Sequence, residues 1–154
     1  MIPAVMEGPL LGQSEICVPL LRLLPGWFGM EEGILEYEQE IGTLPTFLAR
    51  AGEKLVGFIS VKQHTPYSAE ILVMAVHPEA HRGGIGRGLV EAAEAYARGL
   101  GIEYMQVKTL GPSRQDDGYA GTRAFYQALG FRPLEEFKQI WDENNPCLIL
   151  VKRL

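Results

Sequence analysis

The fold is decided by residues 69–90, Ala-Glu-Ile-Leu-Val-Met-Ala-Val-His-Pro-Glu-Ala-His-Arg-Gly-Gly-Ile-Gly-Arg-Gly-Leu-Val. Its first half is an apolar run rich in Val, Ile and Leu, the pattern of a strand buried on both faces. Pro78 ends the strand, because proline carries no backbone donor. Glycines cluster at Gly83, Gly84, Gly86 and Gly88. Apolar positions then switch to helical spacing at Leu89, Val90, Ala93, Tyr96, Ala97 and Leu100. A strand, a glycine turn and a helix start aim unpaired backbone N–H groups, backed by the helix dipole, at an anion such as a phosphate. Arg82 and Arg87 add charge there.

Working outward, Lys54–Gln63 and Thr46–Ala51 read as strands of a hairpin turned by Gly52-Glu53 and opened by Pro45. Upstream, Glu31 to Ile41 has a helical pattern with five glutamates, most simply a solvated face. Ser14 is the expected cap of an earlier helix that ends at Pro25-Gly26. Ile2 to Met6 is an expected edge strand. Trp27 and Phe28 follow the first helix and read either as contacts closing the core or as a wall of a substrate pocket. Downstream, Gly101 fits the cap of the helix running from about Gly86 to Gly99. Glu103–Leu110 alternates as a strand, residues 111–120 read as a polar loop, and Thr122–Leu129 as a short helix closed by Gly130. Phe131–Trp141 and Cys147–Arg153 read as a closing antiparallel pair, the last strand a possible edge for homodimer pairing. The fold class is mixed α+β, one sheet with helices on both faces.

A chain of 154 residues with 47% hydrophobic and 21% charged residues suits one domain, residues 1–154, with a real core. The net charge of −5 argues against nucleic acid as a partner, since phosphate backbones want a basic stripe. Cys17 and Cys147 make no disulfide framework and no metal-type pair, so no metal is expected. No apolar run approaches the ~20 residues of a membrane span, and no signal peptide is visible, which points to a soluble cytoplasmic protein.

The glycine cluster fits neither nucleotide fingerprint. No Lys-Ser or Lys-Thr follows Gly86 or Gly88, and the third place of a G-x-G-x-x-G set is Leu89. Residues 76–89, Val-His-Pro-Glu-Ala-His-Arg-Gly-Gly-Ile-Gly-Arg-Gly-Leu, instead resemble the acetyl-CoA motif of the GNAT superfamily of N-acyltransferases. Gly84 and Gly86 match its glycines, and His81 stands where that motif opens with Gln or Arg. Residues 122–131, Thr-Arg-Ala-Phe-Tyr-Gln-Ala-Leu-Gly-Phe, resemble the family's second helix through Phe125, Tyr126, Gly130 and Phe131. Thr122 replaces the usual Ala, and Tyr119 a frequent Asn. The resemblance spans roughly residues 46–154.

The resemblance implies a mostly antiparallel sheet splayed between two parallel strands, 69–76 and 104–109, with acetyl-CoA in the cleft. Its pantetheine arm would bond the backbone of Met74 and Val76 as an added strand does. Its pyrophosphate would sit on the N–H groups of residues 81–87: His81, Arg82, Gly83, Gly84, Ile85, Gly86 and Arg87. An oxyanion donor is implied near Met74 or Ala75. Tyr126 is implied to donate to the leaving sulfur. Attack on a thioester needs a neutral amine, so a base is useful. Glu70 is the candidate, and His64 is its rival. Asp116, Asp117 and Tyr119, with Arg114 in the same loop, are candidate acceptor contacts beside Trp27, Phe28 and Trp141. Cys17 and Cys147 lie far in sequence from both motifs, so direct attack in a ternary complex is expected rather than a ping-pong route.

Three functions stay open on these residues. The first is an acetyl-CoA-dependent N-acetyltransferase acting on a primary amine of a small molecule or peptide. The second is a non-catalytic acyl-CoA-binding sensor or interaction module of the same fold. The third is a nucleotide-binding regulatory domain.

Overall fold

A computed structural model describes residues 3–81 and 83–154. Strand β1 (Val5–Leu10) leads into helices α1 (Ser14–Arg22) and α2 (Glu31–Thr43). The hairpin β2 (Thr46–Ala51) and β3 (Lys54–Gln63) follows, then the apolar strand β4 (Ser68–Val76) and a 3-10 turn at Pro78–Ala80. Helix α3 (Ile85–Gly99), strand β5 (Tyr104–Leu110) and helix α4 (Asp117–Ala128) come next, and β6 (Arg132–Asp142) and β7 (Asn145–Arg153) close the chain. The described strands form one seven-stranded sheet in the order β1-β2-β3-β4-β5-β7-β6. Among the described strands only the β4–β5 pair is parallel.

Two buried clusters cover the two faces. On one, Leu89, Val90, Ala93 and Ala97 of α3 pack with Ile59, Val61, Ala69, Ile71, Met105, Val107 and Leu150. On the other, Cys17, Leu20, Leu21 and Leu24 around α1 and Ile41 of α2 pack with Leu48, Phe58, Val73 and Ala75. Strand β4 contributes to both because it carries a bulge: Ser60 faces Val73 and Val61 faces Ile71, so Leu72 is an extra residue. An inserted residue reverses which side chains point up. Ala69 and Ile71 therefore face α3, whereas Val73 and Ala75 face α1.

Four expectations are corrected. The first strand runs from Val5 rather than from Ile2, which lies outside the described residues with Met1. Ser14 is the first helical residue rather than a cap, its hydroxyl donating to the Glu38 carbonyl on α2. The polar loop ends at Asp116, because the Asp116 side chain accepts the Tyr119 N–H and starts α4 five residues before Thr122. Finally, β7 is not an edge. It lies between β5 and β6, and the edges are β1 and β6.

Candidate active site

The ladder between β4 and β5 stops at the pair Ile71 and Val107, although β4 runs on to Val76 and β5 to Leu110. The bulge at Leu72 sits where pairing ends. Beyond it β5 stays paired to β7 and β4 to β3, so the two parallel strands separate. The bond from the His77 N–H to the Val56 carbonyl sets the phase of the β3–β4 ladder. Antiparallel pairing alternates, so Val73 and Ala75 turn their backbone groups toward β3 while Met74 and Val76 turn theirs toward the gap. Consistent with that phase, the Val76 carbonyl accepts a bond from Nε2 of His81 at 2.8 Å.

The gap leads to the start of α3. Gly84 precedes that helix with φ +80°, a left-handed conformation that glycine adopts without strain, and nothing lies within 4 Å of where its Cβ would be. Among the described residues no side chain caps this helix and its first turn holds no acid, while Arg87 stands within that turn. The capping contrast with α4 is plain, since Asp116 fills that role there. The open donors and dipole of α3 thus fit a phosphate. Gly86 lets α4 close in: a Cβ there would stand 3.1 Å from Cζ of Phe125.

These elements enclose a cleft of about 680 Å³. Met74, Val76, Phe125 and Tyr126 line it from the α3 side, and Leu24, Trp27, Phe28 and Ala75 from the α1 side, so it passes through the sheet. Trp27 spans its mouth. Its indole N–H donates to the Thr122 hydroxyl at 3.0 Å, its carbonyl accepts from Tyr119, and its ring meets the His81 ring edge-on at 6.4 Å. Gly118 gives it room, because a Cβ there would lie 3.3 Å from the indole.

Apart from the cleft lining, Glu70 joins a polar cluster. Glu70 is 3% exposed; one carboxylate oxygen is 2.7 Å from Nε2 of His64 and the other 3.5 Å from Nζ of Lys108. Tyr37 is pushed up to about 12 by burial, with Tyr119, Glu70 and Glu36 adding to the effect. Burial also pushes Cys147 up to about 11, with Lys108 opposing and Glu70 adding. The Tyr126 phenol is raised above its ordinary value by complete burial and by Tyr37. Among the described residues, no group of three or more His, Cys, Asp or Glu side chains is placed to hold a metal ion, and no helix is long and apolar enough to cross a membrane.

The family profile described as an acetyltransferase (GNAT) domain matches residues 43–133, more than half of the chain. The chain belongs to the GNAT family. A curated relative, an uncharacterized N-acetyltransferase of Chlorobaculum tepidum, is 29% identical over 119 residues, covering 75% of this chain and 66% of that relative's length. A GNAT-family protein from Desulfovibrio desulfuricans superposes with a TM-score of 0.83 at 16% identity, over 97% of this chain and 98% of that one. A GNAT acetyltransferase from Elizabethkingia anophelis, solved with acetyl-CoA bound, superposes with a TM-score of 0.73 at 18% identity over the whole of both chains. These likenesses establish the GNAT fold for the mixed sheet described above.

Against that GNAT framework the residues singled out from sequence divide cleanly. Trp27, Phe28, Met74, Ala75, Val76, His81, Gly84, Gly86, Arg87 and Tyr126 line one cleft. Gly83 and Ile85 flank it in the same turn, and Arg82 lies outside the described residues. Of the two backbone donors considered for an oxyanion, Met74 faces the gap and Ala75 faces β3. Glu70 does not line the cleft, and its rival His64 is bonded to it. Asp116 caps α4, Asp117 opens it, and Tyr119 reaches Trp27 rather than open cleft. Trp141 is exposed on β6, away from the lining, and Arg114 bonds the β6–β7 turn through Asn144 and Asn145. Cys147, remote in sequence, pairs with Leu110 at the far end of β5. Leu24, Ala80, Gly118, Gly121, Thr122 and Phe125 complete the lining unannounced. Four of them, at 118, 121, 122 and 125, make a helical stripe that becomes legible once Asp116 is taken as the cap.

Proposed function

We propose that this chain transfers the acetyl group of acetyl-CoA to a primary amine of a small molecule or peptide, by direct attack in a ternary complex. The observation that carries this reading is the interrupted β4–β5 ladder, with Met74 and Val76 turned into a cleft that ends at the uncapped start of α3. An extended, peptide-like arm bonds such a strand, and a diphosphate suits such a helix start. The acetyl-CoA held by the Elizabethkingia relative supports the same cosubstrate here.

The amine nitrogen attacks the thioester carbonyl, the carbon–sulfur bond breaks, and the sulfur leaves as thiolate. The Met74 N–H is the donor for the developing oxyanion. Tyr126 donates a hydrogen bond to the departing sulfur. Because burial raises its phenol, complete proton transfer is uphill, and the bond acts by strengthening as charge grows on sulfur. The ammonium loses its proton to Glu70 through water, since Glu70 is buried and does not itself line the cleft. Cys147 is held as a thiol and Cys17, pushed up to about 12 by burial, likewise, so neither is an activated nucleophile. Trp27, Phe28 and Tyr119 form the acceptor side. Residues 1–154 act as one domain on this reading. The two free, buried thiols accord with a cytoplasmic setting.

The test is an acetyl-CoA consumption screen over polyamines, aminoglycosides, amino acids and peptide N-termini, alongside calorimetric binding of CoA. Saturable CoA binding with amine-dependent consumption supports the proposal. Absence of CoA binding ends it. Binding without turnover on any amine, and unaltered by E70Q or Y126F, leaves the non-catalytic module as the reading.

A further inference from the structure

We infer that His64 is a positioning residue that aims Glu70, an inference resting on the base role just proposed for that carboxylate. Glu70 is the one charged residue of β4, and its alternation with Ala69 and Ile71, which face α3, places it on the face toward α1 and α2. Nothing on its own strand holds it. His64 comes from the turn before β4, Nε2 lying 2.7 Å from one Glu70 oxygen. Lys108 comes from β5, the strand on the other side of the gap, with Nζ 3.5 Å from the second oxygen. Tyr37 of α2 and Cys147 of β7 complete the titratable surroundings, both close enough to feel the Glu70 charge.

The turn that carries His64 is itself fixed. The His64 N–H donates to the Ser68 carbonyl at 3.0 Å, and the Thr65 hydroxyl accepts from the backbone N–H groups of Tyr67 and Ser68. A rigid turn therefore delivers one ring N–H to one carboxylate oxygen. That bond locks the carboxylate rotamer and so fixes where the second oxygen, 3.5 Å from Lys108 Nζ, points. The imidazole in this arrangement touches no substrate; it acts through Glu70.

The experiment compares H64L, which removes the donor, with H64Q, which keeps an N–H donor but cannot titrate. Turnover is measured with acetyl-CoA and the panel amine consumed fastest, CoA affinity by calorimetry, and folding by thermal melt. H64L is expected to lose at least about tenfold in kcat with CoA affinity unchanged, within the roughly 10²–10⁴-fold loss expected of E70Q. H64Q is expected to recover most of it, and H64L is expected to cost nothing further in an E70Q background. Wild-type kcat in H64L, or H64Q as impaired as H64L, overturns the inference. If the leucine variant does not fold, H64A serves as the donor-free comparison. E70Q at wild-type kcat overturns the base reading itself, whereas a crippled E70Q beside an unimpaired H64L overturns only the role of His64.

Discussion

At the scale of single residues, Tyr126 and Gly86 give the most direct tests. Burial keeps the Tyr126 phenol protonated well past neutral pH. Its donor is therefore available throughout the range from pH 6 to 9, and no alkaline fall of kcat in that range is expected from this group. Y126F removes the hydrogen bond proposed to reach the developing thiolate, worth about 1.5–3 kcal/mol, so kcat is expected to fall roughly ten- to hundredfold with little change in CoA affinity. Steady-state kinetics beside calorimetry checks the split. Gly86 is a different case. A side chain there meets the Phe125 ring at 3.1 Å and narrows the cleft. G86V is expected to weaken CoA binding and, by overpacking against Phe125, to lower the melt as well.

Among elements, the placement of α3 matters most, because its first turn is the proposed phosphate seat. Gly57 of β3 permits that placement: a Cβ there would lie 3.0 Å from both Ile85 and Leu89 and 3.2 Å from the Ala75 carbonyl. G57V overpacks this contact, at a cost of about 1–3 kcal/mol, and displaces the helix start. Loss of stability together with loss of CoA affinity is the expected outcome. On α2, Gly33 has nothing within 4 Å of its missing Cβ. G33A is expected to stabilise by up to about 1 kcal/mol without touching either binding or turnover. Denaturant melts of the two variants test the contrast.

The elements also show what a reader of the sequence can and cannot see. The β2–β3 hairpin was legible to its ends, because Pro45 and Gly52-Glu53 punctuate it. The strand–glycine–helix unit was legible for the same reason, and with it most of the cleft lining. The start of α4 was not, since Gly118 and Gly121 weaken helix propensity and the Asp116 cap looks like ordinary loop polarity. The bulge at Leu72 was hidden too, because a run apolar on both faces has no alternation to interrupt. Glu70 stood out by its charge. Its bonds to His64 and Lys108 did not, because the first depends on the geometry of the β3–β4 turn and the second on where β5 lands.

For the whole molecule, the buried thiols and phenol govern alkaline behaviour. Cys17 and Cys147 rise from an ordinary value of 9.0 to about 12 and about 11, and Tyr37 from 10.0 to about 12. Groups whose pKa is raised on folding contribute stability fully below the unfolded value. That contribution drains away as pH climbs through the window up to the folded value. The melting temperature is therefore expected to fall progressively between about pH 9 and pH 12, and C17A is expected to flatten the early part of that fall. Thermal melts across a pH series measure it.

The seam where β4 leaves β5 has a mechanical consequence as well. Among the described residues the β4–β5 ladder is short, four residue pairs from Ser68 with Tyr104 through Ile71 with Val107. A molecule lodged in that seam acts as a rivet, replacing the missing rungs and tying one half of the protein to the other. Amides bordering it should exchange with deuterium fastest when it is empty, and a saturating dose of CoA should slow them while adding about 2.7 kcal/mol at a hundred times its dissociation constant. Each round of catalysis would then loosen and refasten the whole body, with the release of spent CoA as the moment when it is softest.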